Sequence, residues 1–237
     1  MLAPNEPLGW LLRLPLQIVS PTAVARILMG PNRGLKWVVG AGNHSCWLGT
    51  YERVIAKSIA ARVKPGMTVF DVGAHAGYYT LMLSRLVGHQ GRVFAFEANP
   101  ENAKKLRRHL HINRVKNVDL IEAAVSDQSG MAFFEINAHL GKYGYMGTLA
   151  ETGIPVQTVV LDDFPVPDLI KMDIEGAETR AFVGASRLLS EQRTAIFLAL
   201  HDQTLAEAPA ILKRHNFLLQ PIAEREMWAM PARAPDK

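Results

Sequence analysis

From residue 67 onward, short apolar runs alternate with segments of helical period, and this alternation constrains the chain more than any other feature. Residues 67–72 are an apolar run bounded by glycine, 78–87 read as an apolar helix, and 92–97 are a second run ending in an acid. Strand, helix and strand within about thirty residues make a βαβ unit, which joins parallel strands. The alternation continues. Asn99 stands as an N-cap with Pro100 at the first helical position, and Ala103, Leu106 and Leu110 mark one face of a helix running to Asn113. Residues 118–125 read as a third strand, 131–137 and 156–161 as extra strands around a glycine-rich loop at 141–147, 168–174 as another strand, 177–189 as one helix and 194–200 as a further strand. Strands that are apolar throughout and lie between helices need cover on both faces. The expected fold class is α/β, with a mostly parallel sheet and helices on both faces.

Residues 1–50 behave differently. They hold five Pro and three of the four Trp without a clear period, which reads as an N-terminal extension packed on the main domain, with a short helix and a turn at Pro31-Asn32-Arg33-Gly34. The main domain is expected over 51–237, opening with a helix at 51–63 that ends at Lys64-Pro65-Gly66. Arg13, Arg26, Arg33 and Lys36 interrupt the apolar N-terminal region, so no membrane span is expected, and its start lacks the basic segment of a signal peptide. With Cys46 as the sole cysteine there is no intramolecular disulfide, which fits a reducing, cytoplasmic setting. A net charge of +4 over 237 residues is too mild to mark a nucleic-acid partner, and none is expected.

In an open parallel sheet, ligands bind beyond the carboxyl ends of the strands, where the special residues of this chain fall. Asp71-Val72-Gly73-Ala74-His75-Ala76-Gly77 follows the first strand and opens the first helix; Gly73 permits a tight turn and Gly77 a close helix–strand approach. His75 occupies the middle position, where a dinucleotide site needs glycine against the pyrophosphate, so a ligand without phosphates fits better. Glu97, at the end of the next strand, can accept hydrogen bonds from both hydroxyls of a ribose. Asp71 suits an ammonium group. An adenosine ligand with an ammonium, a carboxylate and no phosphate is S-adenosylmethionine, whose carboxylate could rest on backbone N–H groups near Gly77.

These residues carry a resemblance. Val69-Phe-Asp-Val-Gly-Ala-His-Ala-Gly-Tyr-Tyr-Thr80, Phe96-Glu-Ala-Asn-Pro100, Ala124-Val-Ser-Asp127, Leu161-Asp-Asp163 and Ile170-Lys-Met-Asp-Ile-Glu-Gly-Ala-Glu178, in this order, resemble the FkbM-type methyltransferases over roughly residues 51–217, and Gly49-Thr-Tyr-Glu52 resembles the lead-in to that domain. The resemblance implies a Rossmann-like class I fold, S-adenosylmethionine as methyl donor and O-methylation of a hydroxyl, often on a saccharide or polyketide-type secondary metabolite. It assigns Asp71, Gly73, Ala74, His75 and Gly77 to the methionine moiety, Glu97 and Ala98 to the ribose side, and Ser126 and Asp127 to the adenine. It puts Asp173 beside the reacting methyl and Tyr51 and Glu52 over the cofactor. Two positions depart from the family pattern: His75 replaces a small amide such as Asn, and Ala199 replaces an acid two residues before His201.

Methyl transfer to oxygen needs an aligned acceptor and a proton taker. Asp173, Glu175 and His201, at adjacent strand ends, are the candidates, with Asp173 and His201 preferred. The same pair with Asp202 could instead hold a divalent cation, which is not favoured and leaves no metal ligand assigned. Glu178 reads as a first-turn helix acid, Asp162 and Asp163 as loop or cap residues, and His109 and His111 as part of a solvated basic helix face. Trp37, Trp47, Tyr143 and Tyr145 would suit stacking on an acceptor ring, although packing explains the tryptophans equally well. Two other classes compete: a nucleic-acid methyltransferase on the same fold, and a non-catalytic adenosine-binding module.

Overall fold

The computed structural model describes residues 19–137 and 146–232. Within the N-terminal region, where no strands were expected, β1 (Val24–Arg26) pairs antiparallel with β2 (Lys36–Val38). Three-residue strands carry too few alternations for a period to show. Helix α1 (His44–Leu48) follows, its first turn capped by the Asn43 side chain, and then α2 (Arg53–Ala60). Glu52, left-handed at φ 40°, starts α2 later than the expected residue 51. Next come β3 (Thr68–Val72), α3 (Tyr78–Val87), β4 (Arg92–Phe96) and α4 (Pro100–Ile112), the last capped by Asn99 as expected.

The strand expected at 118–125 is two: β5 (Val118–Ile121) and β6 (Ala123–Val125), which join different sheets. After them run β7 (Gly130–Asn137), β8 (Met146–Ala150), β9 (Ile154–Val159) and β10 (Leu169–Met172). The helix expected at 177–189 is also two, α5 (Glu178–Val183) and α6 (Ser186–Ser190). Gly184 marks the break, where a Cβ would collide with the Ser126 carbonyl. Asp162 confirms its capping role: its carboxylate accepts from the Arg187 and Leu188 amides at 2.8 and 2.9 Å and opens α6. The chain continues through β11 (Ala195–Ala199), α7 (Glu207–Arg214), β12 (Phe217–Pro221) and β13 (Glu226–Pro231).

The main sheet runs β12-β13-β11-β10-β3-β4-β5; the pairs from β11 to β5 are parallel, and β13 and β12 add antiparallel at one edge. A second sheet, β6-β9-β7-β8, stands beside it. Both faces of the main sheet are covered. Val69, Val93, Leu169 and Phe197 pack into one core with α3, Trp37 and Trp47, whereas Phe70, Phe96, Ile170, Met172, Ile196 and Leu198 pack into another with α5, α6 and α7. This period of two, apolar on both sides, explains the continuous apolar runs in the sequence. Successive strands step outward from β3 through β4 to β5, and later ones from β10 to β11 on its other side. The switch in strand order therefore falls between β3 and β10, where an open sheet offers a ligand crevice. Among the described residues, no helix is long and apolar enough to cross a membrane.

Candidate active site

A cavity of about 370 Å³ opens at this switch, within the range of small-ligand sites. Its glycine-loop wall is made by Gly73, Ala74 and His75. Gly73 is left-handed at φ 82°, and any Cβ there would collide with the Asp173 carbonyl, so β3 and β10 approach here only through glycine. The Gly73 and Ala74 amides donate to the Phe96 carbonyl at 3.1 and 2.9 Å, tying the loop to the end of β4.

Glu97 lies just past that end and is 7% exposed. The His75 amide donates to its Oε2 at 2.6 Å and the Asn99 amide to its Oε1 at 2.8 Å. Burial pushes its pKa up to about 7, against the opposing pull of the Asn99 and His75 amides and the Asn102 side chain. A carboxylate offers about four acceptor positions, so these three donors leave it capacity for a ligand. Ala98, Ala124, Val125, Phe134, Gly147 and Leu149 supply an apolar wall next to it. A polar acceptor and an apolar wall thus lie side by side at this end of the cavity. A pyrophosphate meets Glu97, Asp173 and Glu175, and burial pulls His75 down to about 4, leaving it neutral.

At the opposite end the strand ends of β10 and β11 bring together the residues expected to catalyse. His201 Nε2 faces Asp173 Oδ1 at 3.6 Å and Glu175 Oε2 at 3.3 Å, while Nδ1 donates to Glu178 Oε1 at 2.9 Å. Asp173 and Glu175 line the cavity, and His201 stands behind them. Glu178 is fully buried and also accepts from the Thr204 hydroxyl at 2.7 Å and the Gly176 amide at 3.2 Å. It is thus more than a helix-start acid: it holds the imidazole. Burial pulls the His201 pKa down, but the Glu178 hydrogen bond and the charges of Glu178, Glu175 and Asp173 outweigh it and the net is upward. For Glu175, burial dominates and raises the pKa despite His201.

Tyr51, Gly73, Ala74, His75, Glu97 and Ala98 line the cavity as the sequence expected, and others in that set do not. Asp71 is fully buried, so the ammonium it meets is internal. Lys171, opposite it in the β3·β10 register, places Nζ 3.5 Å from Asp71 Oδ1, 3.8 Å from Asp173 Oδ2 and 2.8 Å from the Gly73 carbonyl, to which it donates. Thr80 donates to the other Asp71 oxygen at 2.6 Å. Gly77 sits off the wall and packs its bare Cα against Leu106. Glu52 is exposed and accepts from Tyr79 Oη at 2.7 Å. Asp127 is exposed and accepts from the Ser126 hydroxyl at 2.9 Å, beyond the wall that ends at Val125. Asp202 points away, paired with Arg225 at 2.8 Å, and so leaves the cation set considered for it.

One further expectation changes. His109 is fully buried instead of solvated: the Val38 amide donates to its Nε2 at 2.9 Å, and Trp37, which also borders the cavity, stacks on it at 4.0 Å. Tyr143 and Tyr145, with most of the 141–147 loop, lie outside the described residues. Cys46 is buried, and its thiol is pushed up to about 12 chiefly by burial, consistent with an inert role. Sequence reasoning passed over Lys171 and read Glu178 only as a helix-start acid, and both contact site residues. The signal for Lys171 was present, as a lysine inside an otherwise apolar strand implies a buried partner.

The family profile described as Methyltransferase FkbM domain matches residues 71–219. The chain is similar to the 31-O-demethyl-FK506 methyltransferase FkbM of Streptomyces tacrolimicus, 29% identical over 69% of this chain and 76% of that protein. It is also similar to the 2-O-methyltransferase NoeI of Sinorhizobium fredii, 26% identical over 63% of this chain and 70% of that one. It spans only 28% and 25% of two archaeal protein-L-isoaspartate O-methyltransferases, from Methanothrix thermoacetophila and Aeropyrum pernix, that it matches more locally. In fold it resembles the crystal structure of Methyltransferase FkbM from Methylobacillus flagellatus KT, with a TM-score of 0.53 and 18% identity over 71% of this chain and 44% of that one.

Proposed function

Because this chain belongs to the FkbM methyltransferase family, we propose that it binds S-adenosylmethionine in this cavity and methylates a hydroxyl of a small molecule, a saccharide or a secondary metabolite. The observation that carries the cofactor assignment is Glu97, a buried carboxylate on the cavity wall whose two oxygens are each pinned by one backbone amide and which has acceptor capacity left for a vicinal diol. The relatives NoeI and FkbM, which by name act on 2-O and 31-O positions, support oxygen as the acceptor atom.

When bound, S-adenosylmethionine supplies a methyl group on a positively charged sulfur. The acidic wall formed by Asp173 and Glu175 favours a cationic ligand at that end of the cavity, and Lys171 holds Asp173 from behind. Glu97 and its apolar neighbours orient the nucleoside, and the loop from Gly73 to His75 closes against it. An acceptor hydroxyl must lose its proton as the new C–O bond forms. Asp173 and Glu175, on the cavity wall, and His201, behind them with Nε2 turned toward both, are the groups that activate it. Tyr51, Tyr78 and Tyr79 give the acceptor side an aromatic surface.

Calorimetric titration tests the cofactor class: S-adenosylmethionine is expected to bind and NAD not to, and the reverse overturns the reading. Release of S-adenosylhomocysteine against a panel of sugars and hydroxylated metabolites, with matched amines and carboxylic acids, then tests the acceptor atom. Turnover confined to amines or carboxylates removes O-methylation of a hydroxyl.

A further inference from the structure

We propose that Asp173, Glu175 and His201 hold one divalent cation of the Mn²⁺ or Mg²⁺ kind, which polarises the acceptor hydroxyl. Its catalytic role rests on the methyl-transfer reading, whereas binding of the ion does not. One donor atom from each of these side chains lies within 4.8 Å of the others. The separations of His201 Nε2 from Asp173 Oδ1 and Glu175 Oε2, 3.6 and 3.3 Å, exceed the usual N–H···O range of about 2.7–3.2 Å. They match neighbouring ligands on one ion: at right angles, bonds of about 2.3–2.6 Å put two donors about 3.3–3.7 Å apart, and small side-chain rotations serve the shorter bonds of about 2.1 Å to a smaller ion.

The ring is set for this. Glu178 takes the proton on Nδ1, which leaves Nε2 as the lone-pair nitrogen in the neutral imidazole, the arrangement by which a carboxylate supports a metal-bound histidine. Asp173 divides its oxygens in a compatible way, Oδ2 toward Lys171 and Oδ1 toward His201. Charge points the same way. Asp71, Asp173, Glu175 and Glu178 crowd around Lys171 and His201, and Lys171 lies against Asp71 and Asp173. Four carboxylates stand against two bases there, an excess of negative charge that a cation would relieve. Asp173 and Glu175 are partly exposed on the cavity wall, so an ion on them keeps positions open to a hydroxyl. In this arrangement His201 is a ligand instead of the proton acceptor, and the hydroxyl proton passes to a carboxylate oxygen of the wall or to solvent as the oxygen attacks.

Electron paramagnetic resonance of Mn²⁺ titrated into the EDTA-treated, desalted chain tests the site. One Mn²⁺ per chain is expected, with Glu175→Gln and His201→Ala each weakening it at least about tenfold, and Asp202→Asn, whose carboxylate lies next in sequence but faces Arg225, leaving it unchanged. Absence of stoichiometric binding, or binding that survives both substitutions, overturns the proposal. Circular dichroism checks each variant, and Asp173→Asn replaces any that does not fold. S-adenosylmethionine affinity measured on the same metal-free samples reports separately on the methyltransferase reading.

Discussion

A buried glutamate lines one end of the cavity and another stands behind the opposite end, and the two are held in opposite ways. Glu97, at the β4 end, has the amides of His75 and Asn99 as partners; burial wins and its pKa rises to about 7. Glu178, behind the β10 and β11 ends, is buried more deeply, and burial again pushes upward, but His201 and Thr204 outweigh it and the net is downward. Neutral amide donors offset only part of the cost of desolvating a carboxylate, whereas an imidazole that can carry charge offsets all of it. One end is thereby fitted to hydroxyl donors of a ligand and the other to fixing a ring that the ligand does not displace.

If the ends divide binding from chemistry, His201→Ala should produce the largest effect. Turnover is expected to fall about 10²–10⁴-fold with S-adenosylmethionine affinity nearly unchanged, measured by S-adenosylhomocysteine release and calorimetry. Undiminished turnover would break the comparison. Lys171→Met joins the two ends in one test, since it strands the buried Asp71 carboxylate beneath both. Loss of one partner from a buried pair costs about 3–5 kcal/mol, read from urea denaturation. A smaller change would mean that Thr80 alone satisfies Asp71.

Glu97→Ala should cost about 1.5–3 kcal/mol in cofactor affinity while leaving turnover at saturating cofactor close to wild type. The smallest effect is proton-linked. Ionised Glu97 accepts from both hydroxyls of a diol and the protonated acid does so less well, so cofactor affinity should weaken by up to about tenfold per pH unit below the pKa near 7, and a Glu97→Gln chain should lose this dependence. The sign for folding is opposite. Because the folded pKa lies above the ordinary 4.5, the folded chain binds more protons between those values. The contribution of Glu97 to stability is full below about 4.5 and is lost as pH rises through about 7. Calorimetry across pH 5.5 to 8.5, at about half-unit steps, distinguishes the two trends.

Much of the site was readable in the chain because it is local. The turn at Gly73, the N-cap at Asn99 and the acid at the end of β4 depend on a few neighbouring residues and their backbone angles. The same holds for the alternation that set the α/β class and for Asp173 and Glu175 at a strand-to-helix junction. Elements whose limits depend on distant contacts were read less well. The 118–125 run looks continuous but divides between two sheets, and 177–189 has helical composition throughout but breaks where Gly184 meets Ser126.

The sequence by itself determined the architecture, the position of the ligand crevice and which acids end the strands around it, since burial period and turn chemistry are written into consecutive residues. Only the tertiary structure decided the partners: Lys171 for Asp71 through the β3·β10 register, Glu178 for His201 across α5 and β11, Trp37 for His109, and the exclusion of Asp127 and Asp202 from the cavity. A buried charge takes whichever opposite group the packing brings within a few ångströms, and nothing in the spacing of two residues about a hundred positions apart specifies that meeting.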